Sequence, residues 1–217
     1  MSAFDTFQDA RQSRDNRISG VVIGLVTNNQ DPEGMARVRV TFPWRGDEDE
    51  SYWARIATLM AGNDRGAYFL PEVGDEVLVA FDHGDISSPY VLGALWNGQD
   101  APPETNSDGQ NNIRKIKSRS GHEIIFDDTQ AQEKIEIHTN AGHKILLDDS
   151  SGGEKIEIVD KTGSNSIKID SVANNINVES AMQLKIKAQT IEIESGTTMT
   201  IKAGATLTLQ GTLIQIN

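Results

Sequence analysis

The sequence contains no cysteine, so neither a disulfide nor a thiolate metal site can form. It has no apolar run of about eighteen residues, the length that predicts a membrane-spanning helix. Its first residues also lack the basic and then apolar order of a secretory signal. From these absences we expect a chain that is cytoplasmic during assembly and leaves the cell only if a dedicated machine exports it.

Other residue types are missing from only one part of the chain. All six prolines, all three tryptophans and all three tyrosines lie before residue 104, whereas every lysine lies at or after Lys115. Residues 1–104 carry eight arginines against seventeen acidic residues, a net charge of −9, whereas residues 110–217 carry twelve basic against fourteen acidic residues, a net charge of −2. So sharp a change predicts two different structures, joined by a polar linker at 104–112.

Residues 18–103 carry the signals of a small β-domain. Runs rich in β-branched residues alternate with glycine, proline and acidic turns, and they predict strands at 18–26, 36–42, 52–57, 76–81 and 89–95. Five strands in so short a segment suit a small closed barrel such as the OB-fold. The preceding segment, residues 1–17, is either a short amphipathic helix with Phe4 and Phe7 on one side or a frayed tail.

Residues 176–217 are organised by apolar pairs that enclose one polar residue. The pairs recur at steps of 8, 7, 8, 8 and 7 residues. Alternation at period two indicates strands with one buried face, and the links between them are too short for crossover helices. The members of these pairs, which we predict to form a buried core, are Ile176, Val178, Leu184, Ile186, Ile191, Ile193, Met199, Ile201, Leu207, Leu209, Ile214 and Ile216.

The step between the pairs limits how such strands can be arranged. A chain that winds a solenoid by itself needs about twenty residues for each coil, and seven or eight residues supply about a third of that. We therefore predict three chains wound around one axis, each forming one side of a triangular prism. In this homotrimer the apolar pairs face the axis, while Glu192 and Gln215 face water. The alternative is a segment of an ordinary antiparallel sandwich, whose strands do not keep so regular a step.

A longer repeat precedes these pairs, in residues 113–175. Its units are RKIKSRSGHEIIFDD at 114–128, IEIHTNAGHKILLDD at 135–149 and, more loosely, IEIVDKTGSNSIKID at 156–170. Gly121, Gly142 and Gly163 recur every 21 residues, and each unit holds two strands and two turns. We expect a wide β-prism at 113–175 that narrows towards residue 217.

Several motifs of the first domain occur in the order found in a known family. They are GMARVRVTFPW at 34–44, YWAR at 52–55, AG at 61–62, FLPEVGDEV at 69–77, GD at 84–85 and LGALWN at 92–97. With these motifs the sequence resembles the baseplate assembly protein V family, which includes phage tail spikes and the OB-fold part of VgrG (valine-glycine repeat) spikes. The resemblance implies an all-β trimeric needle, with an N-terminal OB-fold barrel as its base and an intertwined triple-stranded β-helix as its shaft.

The same resemblance implies a function and partners. A central spike of a contractile injection apparatus is driven through a target envelope and contacts the target membrane only transiently. Phe4 and Phe7 are candidates for docking on baseplate hub or tube-initiating proteins. Some relatives carry a His-x-His iron site at the tip, but this chain has no such pair. We therefore expect a separate PAAR-type tip protein at the C-terminal end, bound by Leu213, Ile214, Gln215, Ile216 and Asn217.

Metal and catalytic sites have weaker support in the sequence. His122 and His143 are equivalent in the repeat, and a three-fold axis could gather either as metal ligands, but each follows a turn glycine and precedes a charged residue. The aspartate pairs at 127–128 and 148–149 lack the spacing of calcium-binding β-rolls and an aromatic platform for sugars. We expect exposed turns at both places, no metal or other cofactor, and no enzymatic activity.

Two other functional classes can be compared with the spike. Nucleic-acid binding by an OB-fold needs a basic groove, and the acidic first domain would repel phosphate. A trimeric tail-fibre or adhesin module that binds surface polysaccharide stays open as an alternative. It would be expected to expose aromatic residues, yet Phe126 is the only one after Trp96.

Overall fold

A computed structural model of the chain describes residues 17–45 and 49–216, and its regular elements are almost all strands. The chain separates into two compact units, with the division between Thr105 and Asn106. In the described ranges, the one helical element is a 3-10 turn at Asp82–Gly84, and no helix is long and apolar enough to cross a membrane. The all-β class is therefore confirmed.

The first unit is built on a curled five-stranded sheet. Its strands are β1 (Val21–Asn28), β2 (Arg39–Thr41), β3 (Arg55–Ile56), β4 (Ala61–Gly62), β5 (Arg65–Gly66), β6 (Glu76–Phe81) and β7 (Pro89–Ala94). The sheet has the order β2-β1-β6-β7-β3, and β4 and β5 form a separate hairpin. Val38 and Ala54, just before β2 and β3, exchange backbone hydrogen bonds of 3.1 and 2.8 Å. This bridge joins the two edges of the sheet, as an OB-fold requires.

The core of the first unit follows from alternation along its strands. In β6 every second residue points inward, and the buried set is Val26, Val38, Val40, Phe42, Ala54, Val77, Val79, Phe81 and Val91. Gly24 lies where β1 crosses β2, and a Cβ at that position would come within 3.2 Å of the Val40 Cβ. Valine at most of these positions fits the pleated, tightly curved surface of a small barrel.

Some predicted strand bounds were wrong. The strand predicted at 36–42 contracts to β2, because Ala36 has a φ of 55° and belongs to the preceding turn. The strand predicted at 52–57 contracts to β3. The β4–β5 hairpin was missed, since Ala61, Gly62, Arg65 and Gly66 carry none of the β-branched residues that predict a strand.

The second unit begins with an antiparallel meander of seven strands. They are β8 (Ile113–Lys117), β9 (Glu123–Asp127), β10 (Lys134–His138), β11 (Lys144–Asp148), β12 (Lys155–Val159), β13 (Asn165–Asp170) and β14 (Asn175–Ser180). Each strand pairs with the next one along the chain, so each 21-residue repeat is one hairpin followed by a turn to the next. Gly121, Gly142 and Gly163 turn the chain at one edge with φ of 82°, 97° and 73°, values that favour glycine.

Residues 181–216 follow without an assigned strand. A strand needs a hydrogen-bonding neighbour, and the predicted arrangement takes those neighbours from two other chains. The triple-stranded β-helix is therefore not confirmed by the fold of one chain, and it stays a prediction.

Candidate functional site: the apolar face of the second unit

One face of the meander carries almost only large apolar residues. The cross-strand register aligns them in two columns, because residues of an antiparallel pair stand directly opposite one another. One column contains Ile116, Ile124, Ile137, Ile145, Ile158, Ile167 and Val178, and the other contains Phe126, Ile135, Leu147, Ile156, Ile169 and Ile176. Every one of these residues is at least 37% exposed, so nothing in the described part of the chain covers this face.

The opposite face carries charges that alternate in sign across the sheet. Asp127, Lys134, Asp148, Lys155 and Asp170 stand opposite one another on successive strands. The Lys134 ammonium lies 3.6 Å from the Asp127 carboxylate, and the Lys155 ammonium lies 3.8 Å from that of Asp148. Unlike charges placed directly opposite each other support the sheet and suit a surface in contact with water.

Hydrogen bonds at the strand ends hold the acidic members of this row. The Thr129 hydroxyl and backbone N–H donate to Asp127 Oδ1 at 2.6 and 3.0 Å, and the hydroxyl is the main cause that lowers the pKa of Asp127. Ser150 makes the same two contacts with Asp148 and lowers its pKa in the same way. Asp127 and Asp148 therefore close turns at the strand ends.

The contrast between the two faces of the meander indicates which one is an interaction surface. The charged face already has its ion pairs and hydrogen bonds within the chain. The apolar face exposes a continuous wall seven strands long, and exposed apolar patches of such extent mark interaction surfaces in soluble proteins. The candidate site is therefore this face.

The structure places only part of the predicted core on this face. Ile176 and Val178 lie on β14, where each ends one of the two columns. The other predicted core residues lie in 181–216, where exposure ranges from 48% at Met199 to 87% at Ile216. Their contribution to a trimer core stays a prediction.

Sequence reasoning missed the larger part of the apolar face. The predicted core began at Ile176, although the same apolar, polar, apolar order is present earlier, for example at Ile135–Ile137 and Ile156–Ile158. That order was the available signal.

The residues predicted to bind the tip protein and the hub lie near the two ends of the chain. Leu213, Ile214, Gln215 and Ile216 are exposed. Asn217 lies outside the described residues, as do Phe4 and Phe7, the hub-docking candidates.

The two repeated histidines occupy exposed turns. His122 Nδ1 accepts a hydrogen bond from the backbone N–H of Asn140 at 3.3 Å, and His143 Nδ1 accepts one from Lys161 at 3.2 Å. Each imidazole thus ties its own turn to the next turn at the same edge. Among the described residues, no three histidine or acidic side chains are grouped so that they could hold a metal ion.

Comparison with known proteins adds a family to this geometry. Residues 22–96 match the family described as the type VI secretion system/phage-baseplate injector OB domain. The chain is 36% identical over 111 residues to the type VI secretion system spike protein VgrG4b of Pseudomonas aeruginosa, an alignment that covers 47% of this chain and 14% of that protein. It is 29% identical over 141 residues to the spike protein VgrG3 of Vibrio cholerae, which covers 59% of this chain and 14% of VgrG3.

A third relative carries a different name. The chain is 28% identical over 137 residues to the actin cross-linking toxin VgrG1 of Vibrio cholerae, an alignment that covers 56% of this chain and 12% of the toxin. The chain therefore matches only a small part of the length of these relatives. For the matched part, the similarities support a spike function in a type VI secretion system or a phage baseplate.

Proposed function

We propose that this chain, as a member of the VgrG-type spike family of type VI secretion systems and phage baseplates, is the central spike of a contractile injection apparatus. In this proposal three copies form a rigid needle that a sheath drives through a target envelope, with only transient membrane contact. The observation that carries it is the uncovered apolar face of β8–β14, which leads into a further apolar repeat at 181–216.

Burial of this face would supply the stability that a needle needs. A large aliphatic side chain gains about 1.5–3 kcal/mol when it passes from full exposure to full burial. Two further copies of the same sheet offer a matching apolar wall at every level of the columns. Because one chain alone would leave these residues in water, we expect folding of the second unit to be coupled to assembly.

The proposed role is mechanical and not enzymatic. Two of the matched relatives are named as spike proteins. The carboxylates that could suggest glycoside cleavage, Asp127 and Asp148, accept hydrogen bonds that close the turns after β9 and β11.

The function is tested on contractile particles purified from cells that produce this chain. Quantitative mass spectrometry should find three copies in each intact particle, and antibody labelling should place them at the baseplate end of the tube. Particles that contract normally without the chain would contradict the proposal. If the chain were missing from particles but bound the polysaccharide of target cells, an adhesin would be the better account.

We further propose that residues 211–217 form a blunt end that binds a PAAR-type tip protein. Leu213 and Ile216 are the most exposed large apolar residues of this end, at 80% and 87%. Deleting 211–217 should abolish capture of the tip protein in a pull-down while the protein keeps the mass of the wild-type assembly. A truncated spike that still captures its tip protein would contradict this proposal.

The N-terminal segment is proposed to dock on the baseplate hub or tube-initiating proteins through Phe4 and Phe7. A pull-down of the neighbouring baseplate proteins by the full chain and by a chain without residues 1–17 tests this role. Equal capture by the two chains would show that the segment does not dock.

A further inference from the structure

The residues that flank the strands of the meander change together from one repeat to the next. His122 and Asp128 stand immediately before and after β9, and His143 and Asp149 stand in the same places around β11. β13 is one residue longer than β9 and β11, and the backbone hydrogen bonds place Asn165 and Ser171 at the equivalent positions of the third repeat. The Asp160 N–H donates to the Asn165 carbonyl as the Thr139 N–H donates to that of His143, and the Ser171 N–H donates to Glu154 as the Asp149 N–H donates to Glu133. Where the histidine is replaced, the aspartate is replaced too.

The two members of each pair cannot meet within one chain. They are six residues apart along an extended strand, or about 20 Å at the usual rise of about 3.4 Å per residue. The histidine lies on the side of the sheet where the strands end in the turns of Gly121, Gly142 and Gly163, which we call the glycine edge. The aspartate lies at the other ends of the strands, which we call the opposite edge. Their shared pattern therefore points to a contact between copies of the chain.

The histidine of each pair has a free N–H group, on Nε2, that can donate a hydrogen bond. Because His143 Nδ1 accepts the backbone N–H of Lys161, the proton of the neutral ring is on Nε2. The His143 side chain is exposed, so this N–H is accessible. Asp149 is also exposed, and within the described ranges its carboxylate has no ion pair or hydrogen bond.

The turns at the two edges carry formal charges of opposite sign. The turns at the glycine edge, 118–121, 139–142 and 160–163, contain Arg119 and Lys161 against Asp160, a formal charge of +1. The turns at the opposite edge, 128–133, 149–154 and 171–174, contain four acidic residues and no basic ones, a formal charge of −4. Contact between unlike edges is attractive, whereas contact between two acidic edges is repulsive. Unlike edges meet in a head-to-tail contact, and such contacts form a closed ring when the rotation from one copy to the next returns to the first copy, as in the proposed trimer.

We propose that copies of this chain join edge to edge at the same level of the repeat, with His143 of one copy donating to Asp149 of the next. His122 and Asp128 make the equivalent contact one repeat earlier, where Asp128 also pairs with Arg114. Asn165 and Ser171 form an uncharged version one repeat later. This inference rests on the proposed trimeric spike. It adds the contacts that fix how its three sheets are aligned along the trimer axis.

The test uses the absence of cysteine from the chain. The double variant His143→Cys and Asp149→Cys is oxidised, or treated with a short bis-maleimide, and run on a denaturing gel. A disulfide needs Cα atoms within about 7 Å, so the two ends of β11 cannot be linked within one chain. We expect bands at two and three times the chain mass for the double variant, and only the single-chain band for each single variant.

A mismatched pair tests the register. The variant His143→Cys with Asp128→Cys joins positions from different levels of the repeat and should give no cross-link. Cross-linking of the mismatched pair in place of the matched pair would overturn the proposed register. Light scattering on the same samples separates the two proposals: a trimer whose matched cysteines do not link overturns the edge contact alone, whereas a single-chain mass overturns the trimeric spike as well.

A second measurement does not depend on cysteine chemistry. His143→Asn and Asp149→Ser introduce the residues that the third repeat already has at these places, Asn165 and Ser171. In thermal unfolding of the assembled protein, the double variant should lose less stability than the sum of the two single losses. Additive losses, together with unlinked cysteines, would show that the two side chains do not meet.

Discussion

At the scale of single residues, a nearly enclosed charge lies in the turn between β1 and β2. The Asp31 carboxylate is 2% exposed and binds Arg37 through two contacts, 2.8 Å from Nε to Oδ2 and 2.7 Å from Nη2 to Oδ1. It also accepts the backbone N–H groups of Glu33 and Met35, each at 3.0 Å. Arg37 in turn lies over the Trp53 ring, 5.9 Å from its centre. One carboxylate thus fixes the turn that brings β2 to the barrel.

This arrangement predicts a pH-dependent stability of the barrel. The hydrogen bonds from Arg37 are the main cause that lowers the pKa of Asp31 below its usual value of about 4. Because the folded state holds this proton less tightly than the unfolded state, the stabilisation is complete above about pH 4 and is lost as the pH falls through the lowered pKa. Asp31→Asn should therefore reduce the melting temperature by several degrees at pH 7, and the difference from wild type should shrink towards pH 2.

Tryptophan fluorescence reports this change selectively, since Trp44, Trp53 and Trp96 all belong to the first unit. Glu33→Gln is the matched control, because the Glu33 side chain is 65% exposed and its contact with Arg37 is 3.3 Å long. The control should melt within a degree or two of wild type, as expected for an exposed ion pair. A deficit of Asp31→Asn that stays constant from pH 7 to pH 2 would contradict the assigned role of the carboxylate.

At the scale of elements, each strand of the meander combines an apolar face with a charged one. In β12 the alternation gives Ile156 and Ile158 to the apolar columns, whereas Glu157 points to the charged face, 3.9 Å from Lys144. A change to one face should thus affect assembly, and a change to the other should affect only a weak surface contact.

The prediction for β12 compares Ile158→Asp with Glu157→Gln. Three copies of Ile158→Asp would place three carboxylates in one apolar core, which is strongly unfavourable without partners, so the assembly should be lost. Glu157→Gln removes a long, half-buried surface ion pair, of a kind worth about 0–1 kcal/mol, and should leave the assembly intact. Size-exclusion chromatography distinguishes the outcomes, and equal behaviour of the two variants would show that the buried face has been assigned wrongly.

The elements also show how far the sequence predicts the fold. β6 was predicted with its observed bounds, because an uninterrupted apolar run from Val77 to Phe81 follows Glu76. The Asp31–Arg37 pair could not be predicted, since nothing in the order of those residues shows which of several acids Arg37 binds. The pairing of strands in 181–216 could not be obtained from one chain either, because the proposed trimer takes the required neighbours from other copies.

At the scale of the whole molecule, the uneven composition corresponds to two ways of reaching stability. The first unit buries nine apolar residues in its own barrel, whereas in the second unit Leu146 is the one apolar residue that is buried among those described. The other apolar residues of the meander in this second unit alternate along the strands with lysines and acidic residues, which form ion pairs on the opposite face. In the proposed trimer, a unit with so small a core of its own would gain its stability from burial against the other copies.

The most direct test of this account is the mass of the purified full-length chain in solution, measured by light scattering over a range of concentrations. A chain of 23.7 kDa that buries its apolar face against two other copies should give three times that mass, and the mass should persist on dilution until the protein unfolds. A stable, folded species with the mass of one chain would show that the apolar face is not a trimer interface and would contradict the proposed spike.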